Sequence, residues 1–581
     1  MIIPKYTPLG ELFKSNAVLT VPKYQRTFDW GKSEVLEMLT DLKSVVKSPK
    51  QMFIGTFVFD VSEKNKLKIV DGQQRITSFT LLLIACRQLA KKLEYYALAQ
   101  EIQKKISFTD ETTGEMVSER LLVSSSIADV FAYISDESWG GDFPAKIGTK
   151  QVRRQSTKLK SLYDFMYSEI VHFGRSDLTD FLKAVYSTYA IEIDIEDELE
   201  AFDIFERTNA RGLSLNVADL LKNYIYATNS SEEEYVDKQW KEISERAGST
   251  LQRMLKYFWV SRHGYVSKAE LYRKLKAYGN SEGPKSLADG INDFALYYSA
   301  LRSNNEDSIK EWLHQEECDS ICKNKGYVEA IVSAIRGLNH FKITQHFPLI
   351  YSITRAYKNS EKGDKETRLY ISLIENIEKY HFINNQICGR VGNEIEKPYA
   401  EYSEKFYTAE DFYSLGKEFI EVLKEKLAGE DEFISRFTEQ EYREMTLSDS
   451  CYIFDRINNY DLKPSEWVKI FDPDSSFLVN HYNTEHFLSQ NPDYEVRPED
   501  MEVVDNIGNL FIISRHTNSK LQNMPPADKI EMLSERGRKF KYVMKFIEEF
   551  EKTDMKWGKE EILARADDLA KLGYREVWKI K

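Results

Sequence analysis

The sequence predicts an α+β multidomain protein, with mixed α and β regions at its two ends and a helical stretch between them. Three observations predict it. At 581 residues the chain is too long for one hydrophobic core, so two to four domains are expected. Short apolar runs with strand character, bounded by turn residues, cluster near the two ends. Between about residues 231 and 425, charge-laced segments of helical period follow one another with few strand signals. The expected division is therefore 1–230, 231–425 and 426–581.

In chain order, Phe53–Val61 (FIGTFVFDV) and Lys66–Val70 (KLKIV) flank the polar turn Ser62-Glu63-Lys64-Asn65, which predicts a hairpin. The sequence Asp-Gly-Gln-Gln-Arg follows at once, and then a helical stretch from Ile76 to about Ile106. Ala190–Ile195 alternates, with Ile191, Ile193 and Ile195 on one face and Glu192 and Asp194 on the other. Residues 197–227 read as helical, interrupted at Asn209-Ala210-Arg211-Gly212. In the middle, Leu251–Val260 and Glu366–Tyr380 are examples of successive helices. A polar loop over about 472–500 precedes a strand at Asn509–Ser514, which leads into two terminal helical stretches.

Composition narrows the class. With 42% hydrophobic and 30% charged residues the chain is expected to be globular rather than disordered. A net charge of −13 disfavours a small basic DNA binder, yet leaves room for a large enzyme with one basic groove. Five scattered cysteines fit a reducing cytoplasm. Apolar runs such as Phe79–Cys86 fall far short of the roughly 20 residues of a membrane span, so no membrane partner is expected.

Two constellations carry chemistry. Asp71-Gly72-Gln73-Gln74-Arg75 forms a strand-to-helix turn with one acid, a flexible glycine, two amides and a guanidinium. Backbone N–H groups at the helix start favour a phosphate, and Arg75 can fork onto phosphate oxygens. The same residues also suit a surface turn in which Arg75 makes a structural salt bridge. In the second constellation, His486 can act as a base near neutral pH, and Glu485 and Asn518 offer the oxygen donors that Mg²⁺ or Mn²⁺ prefers. Asn509 heads the following strand, where its amide can hold the loop in shape. Asn509 and Asn518 follow His486 by 23 and 32 residues, which fits a compact strand-loop-strand-helix finger. Taken singly, each of these residues is a weak signal: a lone histidine is more often structural, and Asn518 also suits an ordinary cap or turn.

Six basic residues and no acid lie between Lys146 and Lys160, including Arg153, Arg154, Lys158 and Lys160. They suit DNA phosphates, or simply a solvated helix face. Tyr257, Phe258 and Trp259 sit among basic residues and read either as stacking platforms or as buried core.

The ordered set VPKYQRTFDW, FIGTF, DGQQR and FERTNARGLSLNVADLLKN resembles the N-terminal domain of the GmrSD restriction enzymes over about residues 8–226. That domain is similar to the ParB/sulfiredoxin-like nucleotide-binding fold. The resemblance implies a nucleotide pocket lined by Tyr24, Gln25, Arg26, Asp71, Gly72, Gln73, Gln74 and Arg75, with Asn209, Asp219 and Lys222 in the later motif. From about 430 to 581 the chain resembles the HNH-type (ββα-metal) C-terminal domain of the same family. The carriers are Glu485-His486, Gly508-Asn509-Leu510, Asn518-Ser519 and the closing Trp557, Ile562, Arg565, Ala566 and Trp578. There His486 is implied as general base, Glu485 and Asn518 as metal ligands, and Asn509 as the second HNH position. Phe487 and Ser489 depart from the family's Glu-His-Ile-Leu-Pro, and loss of the proline relaxes the turn after the base.

The implied activity is type IV restriction: nucleotide-regulated, Mg²⁺- or Mn²⁺-dependent cleavage of modified phage DNA, with accompanying nucleoside triphosphate hydrolysis. Glucosylated hydroxymethylcytosine and phosphorothioate linkages are the implied modifications. The implied partners are double-stranded DNA and a nucleoside triphosphate, and a homodimer is compatible with the sequence. Two other readings remain: a nucleotide-hydrolysing switch or interaction protein with a degenerate HNH domain, and an RNA-targeting abortive-infection nuclease.

Overall fold

The turn at Ser62–Asn65 does close a hairpin. Asn65 takes up a left-handed conformation (φ 61°), and strand β3 (Phe53–Asp60) pairs antiparallel with β4 (Lys66–Asp71). The protein is described by a computed structural model covering residues 4–581, apart from 15–16, 23–24, 26–27, 110–115, 125–126, 142–149, 197–216, 229–232 and 554. The chain divides into two units, 1–238 with 272–288, and 239–271 with 289–581. Both are mostly helical with small sheets.

In the first unit, β1 (Lys5–Pro8), β2 (Val18–Thr20), β3, β4, β7 (Leu121–Leu122) and β8 (Tyr189–Ile195) form one sheet in the order β1-β8-β3-β4-β2-β7. A separate two-stranded pair consists of β5 (Ser107–Thr109) and β6 (Met116–Glu119). The expected alternation of β8 places Ile193 and Ile195 against Val58, Val70 and Leu220, a small cluster on one face of the sheet. On the other face Phe57, Phe59 and Ile69 join the main core. That core is built around the helix Gln73–Lys92, which is buried nearly all round, as a central helix must be. The helical stretch expected to run to Ile106 is in fact two helices, Gln73–Lys92 and Tyr96–Ile106. Glu94, at φ 53°, turns the chain between them.

In the second unit the helices of the middle region share one core with the C-terminal residues. Phe341, Phe382 and Ile383 pack with Phe433, Tyr452 and Trp578, and the Trp578 ring stacks on Phe382 at 4.2 Å between centroids. The aromatics of the helix Leu251–His263 also take the core alternative: Phe258 and Trp259 are buried, and Tyr257 donates to Thr344. Toward its end this unit carries the second small sheet, β9 (Tyr482–His486) with β10 (Leu510–Ser514).

Candidate functional site

Strands β9 and β10 pair antiparallel, with His486 opposite Leu510 and Glu485 opposite Phe511. Ser514 then caps the helix Arg515–Leu521 by accepting from the Thr517 N–H, so the chain runs strand, loop, strand, helix. The register puts Glu485 and His486 at the end of β9, beside the loop 487–509. Asn518 reaches back from the helix to this strand end, where its Nδ2 donates to Glu485 Oε2 at 2.6 Å. Asn518 and Glu485 are thus brought together, and His486, next along the same strand end, turns to a separate partner, Asp505.

Asn509 serves the same place differently. It is fully buried; its Oδ1 accepts from the Leu488 N–H (2.7 Å) and Trp557 Nε1 (3.0 Å), and its Nδ2 donates to the carbonyls of Leu488 (2.9 Å) and Val504 (2.7 Å). All its hydrogen-bonding capacity is used in holding the loop, the role expected of its amide, so Asn509, named with His486 among the catalytic candidates as the second HNH position, acts as a positioning residue. Arg565 reinforces the same segment by donating to the carbonyls of Gly508 and Leu510.

His486 is nearly buried, and its Nε2 lies 3.1 Å from Asp505 Oδ1. Asp505 is itself held by Gln490 (2.6 Å) and Arg443 (2.5 Å). An ionised Asp505 can only accept, which fixes the proton on Nε2 and leaves the lone pair on Nδ1. Burial pulls the His486 pKa below its usual value, with Asp505 opposing. The ring is therefore neutral at pH 7 and has the form a general base needs.

Glu485 is buried too, and burial pushes its carboxyl pKa up against the opposing effect of Lys529. Lys529 Nζ donates to Glu485 Oε1 at 2.5 Å, to the His486 carbonyl at 2.7 Å and to Ser489 Oγ at 3.0 Å. Burial in turn lowers the Lys529 pKa, and Glu485 opposes that shift. Neither Asp505 nor Lys529 was singled out by sequence reasoning. The one available signal was the position of Lys529 beside Ile530 and Leu533 on the buried face of the helix Pro526–Arg536.

Comparison with known families bears directly on this geometry. Residues 9–226 match the GmrSD restriction endonuclease N-terminal domain, and residues 428–572 match the GmrSD restriction endonuclease C-terminal domain. The chain belongs to the GmrSD restriction endonuclease family. No curated protein matches it. As a GmrSD endonuclease it acts on DNA, and the match at 428–572 contains the whole strand-loop-strand-helix site. Among its described residues, no helix is long and apolar enough to cross a membrane.

The other GmrSD match contains DGQQR, whose side chains the structure largely commits to the chain's own backbone. Asp71 ends β4, and Gly72 begins the following helix at φ 100°, where a Cβ would strike the Phe57 ring. Gln74 Oε1 accepts from the N–H groups of Asp29 (2.7 Å) and Trp30 (3.1 Å), while Gln25 Nε2 donates to the Val70 carbonyl (2.7 Å). Arg75 donates to the carbonyls of Ile54 (2.6 Å) and Thr56 (3.0 Å) and pairs with Asp71 at 3.3 Å, the structural salt bridge that was the alternative reading. Gln73 is buried at the helix start. Tyr24, Arg26 and Asn209 lie outside the described residues.

Of the basic candidates, Lys158 pairs with Asp29 at 2.9 Å and Lys160 with Asp164 at 2.6 Å. Arg153 and Arg154 lie on the helix Lys150–Ile170, but their side chains are outside the described residues.

Proposed function

We propose that this GmrSD enzyme is a nucleotide-regulated, metal-dependent endonuclease that cuts modified phage DNA, with an HNH-type (ββα-metal) centre at residues 482–521. The observation that carries this reading is the meeting of Glu485 and Asn518 at the strand end that also bears His486, with Asn509 and Asp505 holding the loop and the imidazole. In the proposed step His486 Nδ1 takes a proton from the attacking water, while Asp505 holds the Nε2–H tautomer and stabilises the imidazolium that results.

The residues present fit a single Mg²⁺ or Mn²⁺. Asn518 Nδ2 donates to Glu485 Oε2 at 2.6 Å and its Oδ1 accepts from Asn483 Nδ2 at 2.8 Å, so turning the Asn518 and Asn483 amides over together would offer the Asn518 oxygen to the ion. The described residues contain no group of three or more His, Cys, Asp or Glu able to hold a metal, so most ligands would come from water and phosphate, as Mg²⁺ tolerates. When bound, the ion supplies charge stabilisation at the scissile phosphate and leaving oxygen.

The N-terminal unit, with a ParB-like fold, is proposed to bind and hydrolyse a nucleoside triphosphate at the turn after β4. Asp71 and the helix start at Gln73 would face the nucleotide, while Gln25, Gln74 and Arg75 frame the pocket. Five free cysteines support a cytoplasmic setting, and a homodimer is the proposed assembly.

A second reading, a nucleotide switch with an inactive nuclease centre, draws support from the Lys529 ammonium already neutralising Glu485. Cleavage assays with Mn²⁺ on glucosylated-hydroxymethylcytosine, phosphorothioate and unmodified DNA, and on RNA, with and without nucleoside triphosphates, test the proposal. Cutting of a modified DNA in preference to the others is the expected result. Nucleotide turnover without any cleavage would establish the switch instead, and cleavage of RNA alone would establish the RNA-targeting nuclease.

A further inference from the structure

The helix Pro526–Arg536 lies outside the strand-loop-strand-helix segment, yet it delivers a lysine into the centre of the site. The Lys529 side chain has no solvent exposure. An ammonium has three protons to give, and here each has an acceptor: Glu485 Oε1, the His486 carbonyl and Ser489 Oγ. A proline at position 489 would have no hydroxyl to offer, so Ser489, the departure visible in the sequence, finds its physical reason here.

We propose that Lys529 is the resident cation of the nuclease centre, a positioning residue that occupies one oxygen of Glu485 and restricts the carboxylate to a one-oxygen contact with a single divalent ion. The inference rests on the metal-dependent reading above. A carboxylate that bridges two ions needs both oxygens, and Oε1 is already engaged by a fixed positive charge. The same ammonium ties the end of β9 to the turn at Ser489, setting the height of Glu485 and His486 together. Lys529 cannot leave without stranding the Glu485 charge in a buried place, so it acts as a permanent part of the site.

The test is Mn²⁺ binding to the full chain without DNA, followed by calorimetry and by electron paramagnetic resonance of free Mn²⁺, with cleavage measured alongside. The wild type should bind one Mn²⁺ at this centre. Lys529→Met removes the competing charge and frees Oε1, so Mn²⁺ should bind about tenfold tighter or more, or with a second ion per chain, while cleavage falls. Lys529→Arg should do the reverse, because its planar fork can cover both carboxylate oxygens and weaken Mn²⁺ binding. A merely structural lysine would lower cleavage at every Mn²⁺ concentration without moving the affinity. Unchanged Mn²⁺ affinity in either folded variant overturns the inference, so Lys529→Arg decides it should Lys529→Met not fold. The double variant Glu485→Gln/Lys529→Met removes both buried charges and should lose the Mn²⁺ site. Wild-type Mn²⁺ binding in that double variant would overturn the metal assignment itself, whereas its loss together with unchanged affinity in Lys529→Met would overturn only the role of Lys529.

Discussion

The proposed nuclease centre, whose Glu485 and His486 fall in a segment expected to be polar loop and in fact end strand β9, and the DGQQR turn, expected between a strand and a helix, are treated by the structure in opposite ways. At DGQQR, Gln25, Gln74 and Arg75 bond to backbone groups of Val70, Asp29, Trp30, Ile54 and Thr56. At the proposed nuclease centre that backbone work falls to Asn509 and Arg565, and His486 keeps Nδ1 without a partner among the described residues. The difference teaches where to look for chemistry. A polar side chain whose donors and acceptors all end on its own backbone is a frame, and a side chain held by one atom with another left open is a reagent.

The sharpest way to break this comparison is Asp505→Asn. An amide no longer enforces the Nε2–H tautomer, so cleavage should fall by roughly 10²- to 10³-fold while the melting temperature barely moves. Asp505 raises the His486 pKa against burial, so the acid limb of the pH–rate profile should shift to lower pH in this variant. An unchanged profile with full activity would remove Asp505 from the site. At the other region the expected loss is in stability. Arg75→Ala should cost roughly 2–3 kcal/mol in urea unfolding of the N-terminal unit, because two carbonyls and Asp71 lose a charged donor. Impaired nucleotide binding with unchanged stability would make Arg75 a ligand rather than a frame.

Acid should separate the two units further. His346 and His381 of the second unit are fully buried, and burial depresses their pKa values to about 3 and about 4. The unfolded chain binds protons that these folded histidines refuse, so their contribution is complete above about pH 6.5 and is lost as pH falls, at roughly 1.4 kcal/mol per pH unit for each. The first unit contains only His172, so the second unit should unfold first between pH 6 and 4 when followed by hydrogen exchange. His346→Leu should flatten that acid limb by about half. The smallest effect expected is for Gln74→Ala, about 1–2 kcal/mol from two unmade backbone bonds, read as a lowered urea midpoint.

Much of this was legible in the sequence because it depends on local pattern. The β3–β4 hairpin, the strand β8 and the strand after the polar loop follow from alternation and turn residues. The nearness of Asn518 to the Glu485–His486 pair was legible because the spacing suits a compact strand-loop-strand-helix finger. Asp505 and Lys529 were not, because nothing in the local sequence ties either to His486 or Glu485. Asp505 reaches His486 only when the loop folds back, and Lys529 reaches Glu485 only when a later helix packs against the strand end. In the basic run ending at Lys160, Lys158 and Lys160 meet Asp29 and Asp164, one partner distant in sequence and one a helical turn away, and only the second is visible in the local sequence.

The most direct measurement is Mn²⁺-dependent DNA cleavage by the wild type and by His486→Ala, with the melting temperature of both. The account predicts a loss of roughly 10²- to 10⁴-fold in the variant with its melting temperature retained. Wild-type cleavage by a folded His486→Ala protein would contradict it.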